Sequence, residues 1–209
     1  MTVPSSSTVV YQITLLRHAE GARGMPEEPE IYHLTERGKS QAKAIAESWL
    51  AEGVTYHHIL SSPLDRARET AEIIAPMLGL SLQVDPCWTE FDPAPTEKVT
   101  AQNQQQGVSQ PRLKDQYHPA YPGGESYWSC YLRAGQALQA LLSRSPDAYL
   151  VVSHANFLNF VLYAILGISP QPNFYAPRFN LKYGSFAKVL YYPEKHTWHL
   201  MSLNNQPLP

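Results

Sequence analysis

Apolar positions recur along the chain at two spacings, and the switches between them lay out the elements. Residues 9–16 are a run rich in β-branched and apolar side chains, too short for a helix between its flanks, and predict a buried strand. From Thr35 the period changes: Ala42, Ile45, Ala46, Trp49 and Leu50 fall on one helical face. Thr35 is the expected cap, Leu34 packs across the start and Gly53 stops the helix. Residues 56–60 predict a second strand. Ser62 as cap, Pro63 at the first helical position and Asp65 at the positive end then predict a helix through Ala67, Thr70, Ala71, Ile74 and Leu78 to Gly79. Residues 81–84 alternate weakly and predict a third strand. Tyr127, Cys130, Tyr131, Ala134, Ala137, Leu138, Leu141 and Leu142 form a further helical stripe. Residues 149–153 are a continuous apolar run of the kind found in parallel strands covered on both faces. An apolar helix follows from Ala155 to Gly167, and residues 185–192 and 197–202 predict a closing hairpin.

This alternation predicts an α/β fold of three layers, a mostly parallel central sheet with helices on both faces. There is no internal repeat, so one domain spans residues 1–209. Within it, residues 1–8 are expected to fray and residues 91–124 read as an insertion, a lid over the crevice, with a short helix at 96–106. The 209 residues carry a formal charge of −2, which argues against an electrostatic nucleic-acid binder. No apolar run reaches transmembrane length and the first residues lack the regions of a signal peptide, so the expected location is cytoplasmic, away from membranes. Cys87 and Cys130 lie far apart without metal or redox spacing and read as free thiols in a reducing compartment.

Three predicted strands run into chemistry. Arg17-His18 follows the first, the segment from Ser62 to Arg66 follows the second, and His154 follows the run at 149–153. The carboxyl ends of parallel strands share the edge where open α/β sheets bind ligands, so these groups can converge. Arg66 falls in a first helical turn, beside backbone N–H groups that receive phosphate. Two arginines and two histidines suit a tetrahedral dianion, because guanidinium forks match phosphate oxygens. A neutral imidazole is a nucleophile if its other nitrogen donates to a fixed acceptor, such as a backbone carbonyl. Nearby arginines lower its pKa and stabilise charge on the equatorial oxygens. His154, if protonated, adds a donor. This chemistry needs no metal and no cofactor, and the carboxylate clusters that hold magnesium are not evident. Glu90, between Trp88 and Phe91, has two readings: a desolvated general acid or a solvated loop glutamate. Arg112, Lys114, Tyr117, His118 and Tyr121 either line a substrate pocket or decorate a loop. His57 and His58, adjacent in a strand, point to opposite faces and read as structural. Arg68 and Glu69 read as solvated.

With these blocks in order, the chain resembles the histidine phosphatase superfamily, its phosphoglycerate-mutase-like branch. The resemblance rests on Leu16-Arg17-His18-Ala19-Glu20, on Leu34-Thr35-Glu36-Arg37-Gly38 with Gln41-Ala42, and on Ser61-Ser62-Pro63-Leu64-Asp65-Arg66-Ala67 with Glu69-Thr70-Ala71. Pro122-Gly123-Gly124-Glu125-Ser126 and Val151-Val152-Ser153-His154 complete it. It implies that His18 becomes phosphohistidine and that Arg17, Arg66 and His154 bind the transferred phosphoryl group. It implies Glu90 as the acid that protonates the leaving oxygen and then activates water, with Glu97, Glu125 and Asp92 as fallbacks. Glu20, Arg23, Ala155 and Asn156 become the substrate rim. The implied activity is metal-independent hydrolysis of a small-molecule phosphate monoester; the alternatives are a phosphoglycerate mutase and a non-catalytic phospholigand binder. Departures from the family pattern are Ala19 in place of glycine, Arg23-Gly24 where an asparagine is usual, His33 before Leu34-Thr35, and Ala155-Asn156 in place of a glycine pair. They leave the phosphate cradle intact and alter the rim. Ala19 in particular requires a backbone that is not left-handed.

Overall fold

The computed structural model describes residues 9–23, 32–92, 113–121 and 123–206. The central sheet holds β1 (Tyr11–Arg17), β4 (His58–Ser61), β5 (Leu82–Val84), β6 (Ala148–Ser153), β7 (Phe186–Tyr192) and β8 (Thr197–Asn205), in the order β5-β4-β6-β1-β7-β8. β5, β4, β6 and β1 are parallel; β7 and β8 close the sheet antiparallel, as the predicted hairpin. The helices are α1 (Glu36–Ala51), α2 (Asp65–Met77), α3 (Tyr127–Leu142) and α4 (Ala155–Leu166).

Strand periodicity sorts the core into two. Ile13, Leu15, Tyr149 and Val151 face α3 and α4, meeting Cys130, Ala134, Leu138, Phe157 and Phe160. Leu16, Leu150 and Val152 face the other way onto Ala42, Ile45 and Trp49 of α1 and Ala67, Ala71 and Ile74 of α2. The three layers expected from the alternation are thus present, with a buried parallel sheet between two helical pairs.

Three strand ends stand abreast. Arg17 is opposite Ser153, and Ser61 is opposite Val152. One residue further on, His18 N donates to Ser153 O at 2.9 Å and Ser62 N to Val152 O at 3.0 Å. β6 therefore carries His154 out between His18 and Ser62.

Local expectations needed four corrections. α2 begins at Asp65 behind Leu64, which caps it without a side-chain bond, so Ser62 is not the N-cap and Pro63 lies outside the helix. The segment read as surface loop after Glu20 contains a ribbon, β2 (Gly21–Arg23) against β3 (Tyr32–Leu34). Glu69 is not solvated: it accepts from Leu34 N at 2.8 Å and from His33 Nδ1, tying β3 to α2. His57 and His58 do not diverge either. Only His58 is within β4, and both rings bond the Asp147 carboxylate, His58 Nε2 at 3.0 Å from Oδ2. The expected helix at 96–106, Glu97, Arg112 and most of the 91–124 insertion lie outside the described residues. No helix among the described residues is long and apolar enough to cross a membrane.

The segment after His18 is pinned to the start of α1. Glu20 O accepts from Thr35 N at 3.1 Å, Glu20 N donates to Gln41 Oε1 at 3.0 Å, and Thr35 Oγ1 caps the helix by accepting from Gly38 N at 2.9 Å. Gly38 faces this contact so closely that a Cβ would lie 1.9 Å from Glu20 O. Helix propensity alone would make Gly38→Ala stabilising by about 1 kcal/mol. The backbone clash reverses the sign, and we expect a net loss of about 1–3 kcal/mol, read as a lower Tm in thermal unfolding. A raised Tm would show that α1 does not press on this loop.

Candidate active site

His18, 4% exposed, is the first residue beyond β1. Its Nδ1 lies 2.7 Å from Ala19 O, which can only accept, so Nδ1 carries the proton and Nε2 keeps its lone pair. Arg66 Nε donates to that Nε2 at 3.2 Å. Burial is the chief force lowering the ring's pKa to about 3; the Ala19 bond opposes it, and Arg66 and Arg17 add to it. Ala19 N donates to Thr70 Oγ1 at 3.0 Å and Thr70 donates to Arg66 O at 2.7 Å, so one threonine ties the residue after His18 to the turn bearing Arg66. Ala19 is not among the residues with positive φ, as its side chain requires.

The guanidinium groups rest on tyrosines. Arg17 lies 3.8 Å from the centre of the Tyr183 ring and donates from Nη1 to Leu181 O at 2.7 Å; its Nε is buried without a partner among the described residues. Arg66 lies 5.0 Å over the Tyr32 ring, and the two tyrosine hydroxyls are 3.3 Å apart. Tyr183 also stands 5.4 Å from the His18 ring. Gly184, at φ +67°, sends its N–H to His18 O at 3.2 Å, which brings Tyr183 to this place.

His154 is fully buried, its ring 5.2 Å from that of His18. Nε2 is 2.7 Å from Ser62 Oγ, and Nδ1 has no partner among the described residues. Burial first, then Arg66, His18, Arg17 and Arg133, hold this ring well below the usual imidazole range. The site therefore works against the protonated His154 considered from the sequence.

Glu90 follows a single turn at Pro86–Trp88, which Ser153 Oγ anchors by donating to Trp88 O at 2.7 Å. Its Oε1 accepts from Phe91 N and Phe157 N, both at 2.8 Å, and Oε2 from Asn156 N at 3.4 Å. The carboxylate thus sits on the open N–H groups of α4, one turn from His154. Burial pushes its pKa up despite these three N–H groups and Arg66. Of the two readings of Glu90, the desolvated one matches its surroundings. The whole segment hangs on Arg133, which donates to Cys87 O at 2.9 Å, Thr89 O at 2.8 Å and Glu90 O at 3.3 Å, and to both oxygens of Glu125 at 2.8 Å. Glu125, a fallback acid, is committed to that pair. Asp92 O accepts from Glu125 N at 2.7 Å, and a cavity of about 470 Å³ opens between Glu90, Asp92, Gly124, Glu125 and Arg133.

The rim residues are spread. Ala155 and Asn156 open α4, and Asn156 Oδ1 accepts from Arg178 at 3.0 Å. The Glu20 carboxylate is engaged by Thr35 Oγ1 at 3.0 Å and Arg37 at 3.4 Å, and Arg23 is the last residue of β2. Tyr117 and His118 do not join the cradle: Asp115 accepts from both of their backbone N–H groups, and the Tyr117 ring packs on Trp128. Lys114 is exposed beside them and Tyr121 is half-buried. Arg133, Tyr32 and Tyr183 had no sequence signal beyond their residue type, and Thr70 lay in the Glu69-Thr70-Ala71 block without an assigned role. Among the described residues no three His, Cys, Asp or Glu side chains converge as a metal site.

The model of the histidine phosphatase superfamily (branch 1) matches residues 13–206. A relative from Cronobacter sakazakii (strain ATCC BAA-894), named "Probable phosphoglycerate mutase GpmB", is 31% identical over 193 residues, 87% of this chain and 86% of its own length. Bacillus stearothermophilus YhfR shares the fold with a TM-score of 0.71 at 21% identity, over 93% of this chain and 97% of its own. Phosphoserine phosphatase from Entamoeba histolytica, solved in complex with 3-phosphoglyceric acid, gives 0.67 at 20% identity, over 94% and 98%.

The depressed pKa of His18 sets a pH dependence. Below pH 6.5 the unfolded chain binds a proton at this ring that the folded chain refuses until about pH 3, so stability is lost as pH falls through that window. Above 6.5 the ring makes no difference. In urea unfolding between pH 6 and 4.5, His18→Gln should flatten the decline by about 1.4 kcal/mol per pH unit. Parallel declines in the two proteins would mean that the folded ring takes up the proton.

Proposed function

Because the chain belongs to branch 1 of the histidine phosphatase superfamily, we propose that it hydrolyses a small phosphate monoester through a phosphohistidine on His18. The observation that carries this reading is the His18 ring itself, held by Ala19 O so that Nε2 keeps its lone pair beside Arg66. In the first step Nε2 forms a bond to phosphorus as the ester oxygen leaves. Glu90, whose pKa burial raises, gives that oxygen its proton. In the second step the Glu90 carboxylate takes a proton from water, whose oxygen attacks phosphorus and displaces the neutral ring as phosphate forms. Arg17 and Arg66 stabilise the equatorial oxygens throughout, supplying by hydrogen-bonding cations the charge relief that phosphoryl transfer needs, so no step calls for a metal ion or cofactor. Glu90 is within electrostatic reach of both guanidinium groups, which supports its placement beside the same phosphoryl group. His154 is the further ligand, and Ala155 and Asn156 are the rim closest to the acid.

A second reading comes from the GpmB relatives, named as phosphoglycerate mutases. There the same phosphohistidine would return its phosphoryl group to the organic acceptor instead of water.

On a panel of phosphate esters, His18→Ala should lose covalent phosphate and turnover together; unchanged turnover rejects the nucleophile. Mutase activity that needs a bisphosphoglycerate primer and exceeds hydrolysis would favour the second reading. Glu90→Gln should cost about 10²–10⁴-fold with a poor alkoxide leaving group and much less with p-nitrophenolate, which leaves without a proton. An equal loss with both removes Glu90 from the acid role.

A further inference from the structure

A neutral imidazole donates from one nitrogen and accepts at the other. His18 is fixed by Ala19 O, but no backbone carbonyl fixes His154. Its only hydrogen-bond partner among the described residues is the Ser62 hydroxyl, 2.7 Å from Nε2. That same oxygen receives Leu64 N–H at 3.2 Å, at the start of α2 where backbone donors lack helical partners. The hydroxyl has one proton to place and no other acceptor among the described residues.

Two arrangements satisfy the 2.7 Å contact. If His154 Nε2 held the proton, Ser62 would accept twice and its own proton would be buried without an acceptor, because Ser62 is 0% exposed. His154 Nδ1 would then present a lone pair, and lone pairs repel phosphoryl oxygens. If Ser62 donates instead, every proton in the chain Leu64 N–H, Ser62 O–H, His154 Nε2 has its acceptor. The proton of the ring then resides on Nδ1, the side-chain nitrogen of His154 without a partner among the described residues.

We propose that Ser62 is a positioning residue, donating to His154 Nε2 so that His154 meets the phosphoryl group with Nδ1–H as a neutral hydrogen-bond donor. This rests on reading the hollow as a phosphoryl site. The charged groups facing the ring are Arg66, Arg17 and Arg133, with His18 beside them. All three are cationic, so the donor is supplied by tautomer and not by charge. His18 and His154 thereby share one protonation pattern and present opposite ends, a bare nitrogen from the first and an N–H from the second.

The test is the ring spectrum. In ¹⁵N-histidine-labelled protein at pH 7, with His154 assigned by its loss in His154→Gln, Nδ1 should resonate as the proton-bearing nitrogen and Nε2 as a bare one. Proton on Nε2 in the wild type overturns the proposal, whether or not the protein turns over. Adding inorganic phosphate should shift the Nδ1–H resonance; a ring that keeps its spectrum at saturating phosphate would overturn the donor role. Ser62→Ala should mix or invert the tautomer and lower kcat on p-nitrophenyl phosphate about tenfold, the worth of one net hydrogen bond, with KM little changed. Ser62→Thr, which keeps the hydroxyl, should restore most of it. A Ser62→Ala protein with wild-type spectrum and kcat would also overturn the proposal, and if that variant does not fold the wild-type spectrum decides. Absence of turnover and of phosphohistidine in the wild type would sink the hydrolase reading alone, leaving the spectrum to judge Ser62.

Discussion

The parallel pairing of β1 and β4 with β6 is the constraint on which the rest depends. It brings Arg17 level with Ser153 and Ser61 level with Val152, so the next residue of each strand enters the same hollow. A slip of one residue in any of these strands would exchange its two faces. Leu16 would turn from the α1–α2 side toward α3 and α4, and the apolar residues that enforce the register are the same ones that line the two cores. Packing far from the chemistry therefore determines which side chains meet.

What meets there is electrostatically one-sided. Two guanidinium groups and two imidazoles are crowded there, and the Glu90 carboxylate beside them is turned to the N–H groups of α4. Of the three buried side-chain polar atoms without a partner among the described residues, Arg17 Nε and His154 Nδ1 belong to this hollow. Buried donors without acceptors carry a desolvation cost. An anion would remove it, which supports the phosphoryl site proposed above. The tyrosines complete the frame: their rings support the guanidinium groups without neutralising them.

The parts that were legible in the sequence are those with local rules. Strand runs, the Thr35 cap, the glycine stops and the shared strand-end position of Arg17, His18 and His154 all follow from period and turn chemistry. Ser62 misled because Ser-Pro before an acidic residue satisfies the rule for a helix start, while its actual partner is 92 residues away. Nothing local in the sequence says that Arg133 gathers three carbonyl groups and a carboxylate. Glu90 had two readings because desolvation is a property of the packed chain. Tyr32 and Tyr183 act through distant neighbours, and Thr70 through Ala19 N, 51 residues away, as well as through its own helix.

Every group of the cradle is held by a strand end or by a helix packed on the sheet, and the described segment at 113–121 contributes none of them. That segment is held by its own Asp115, by the exchange of two hydrogen bonds between Leu113 and Asn173, and by the Tyr117 ring on Trp128. On the function proposed above, the phosphorus chemistry thus rests on strand ends and sheet-packed helices and not on residues 113–121. A lineage carrying this fold can vary that segment while the side chains gathered at the strand ends stay under unchanged constraint.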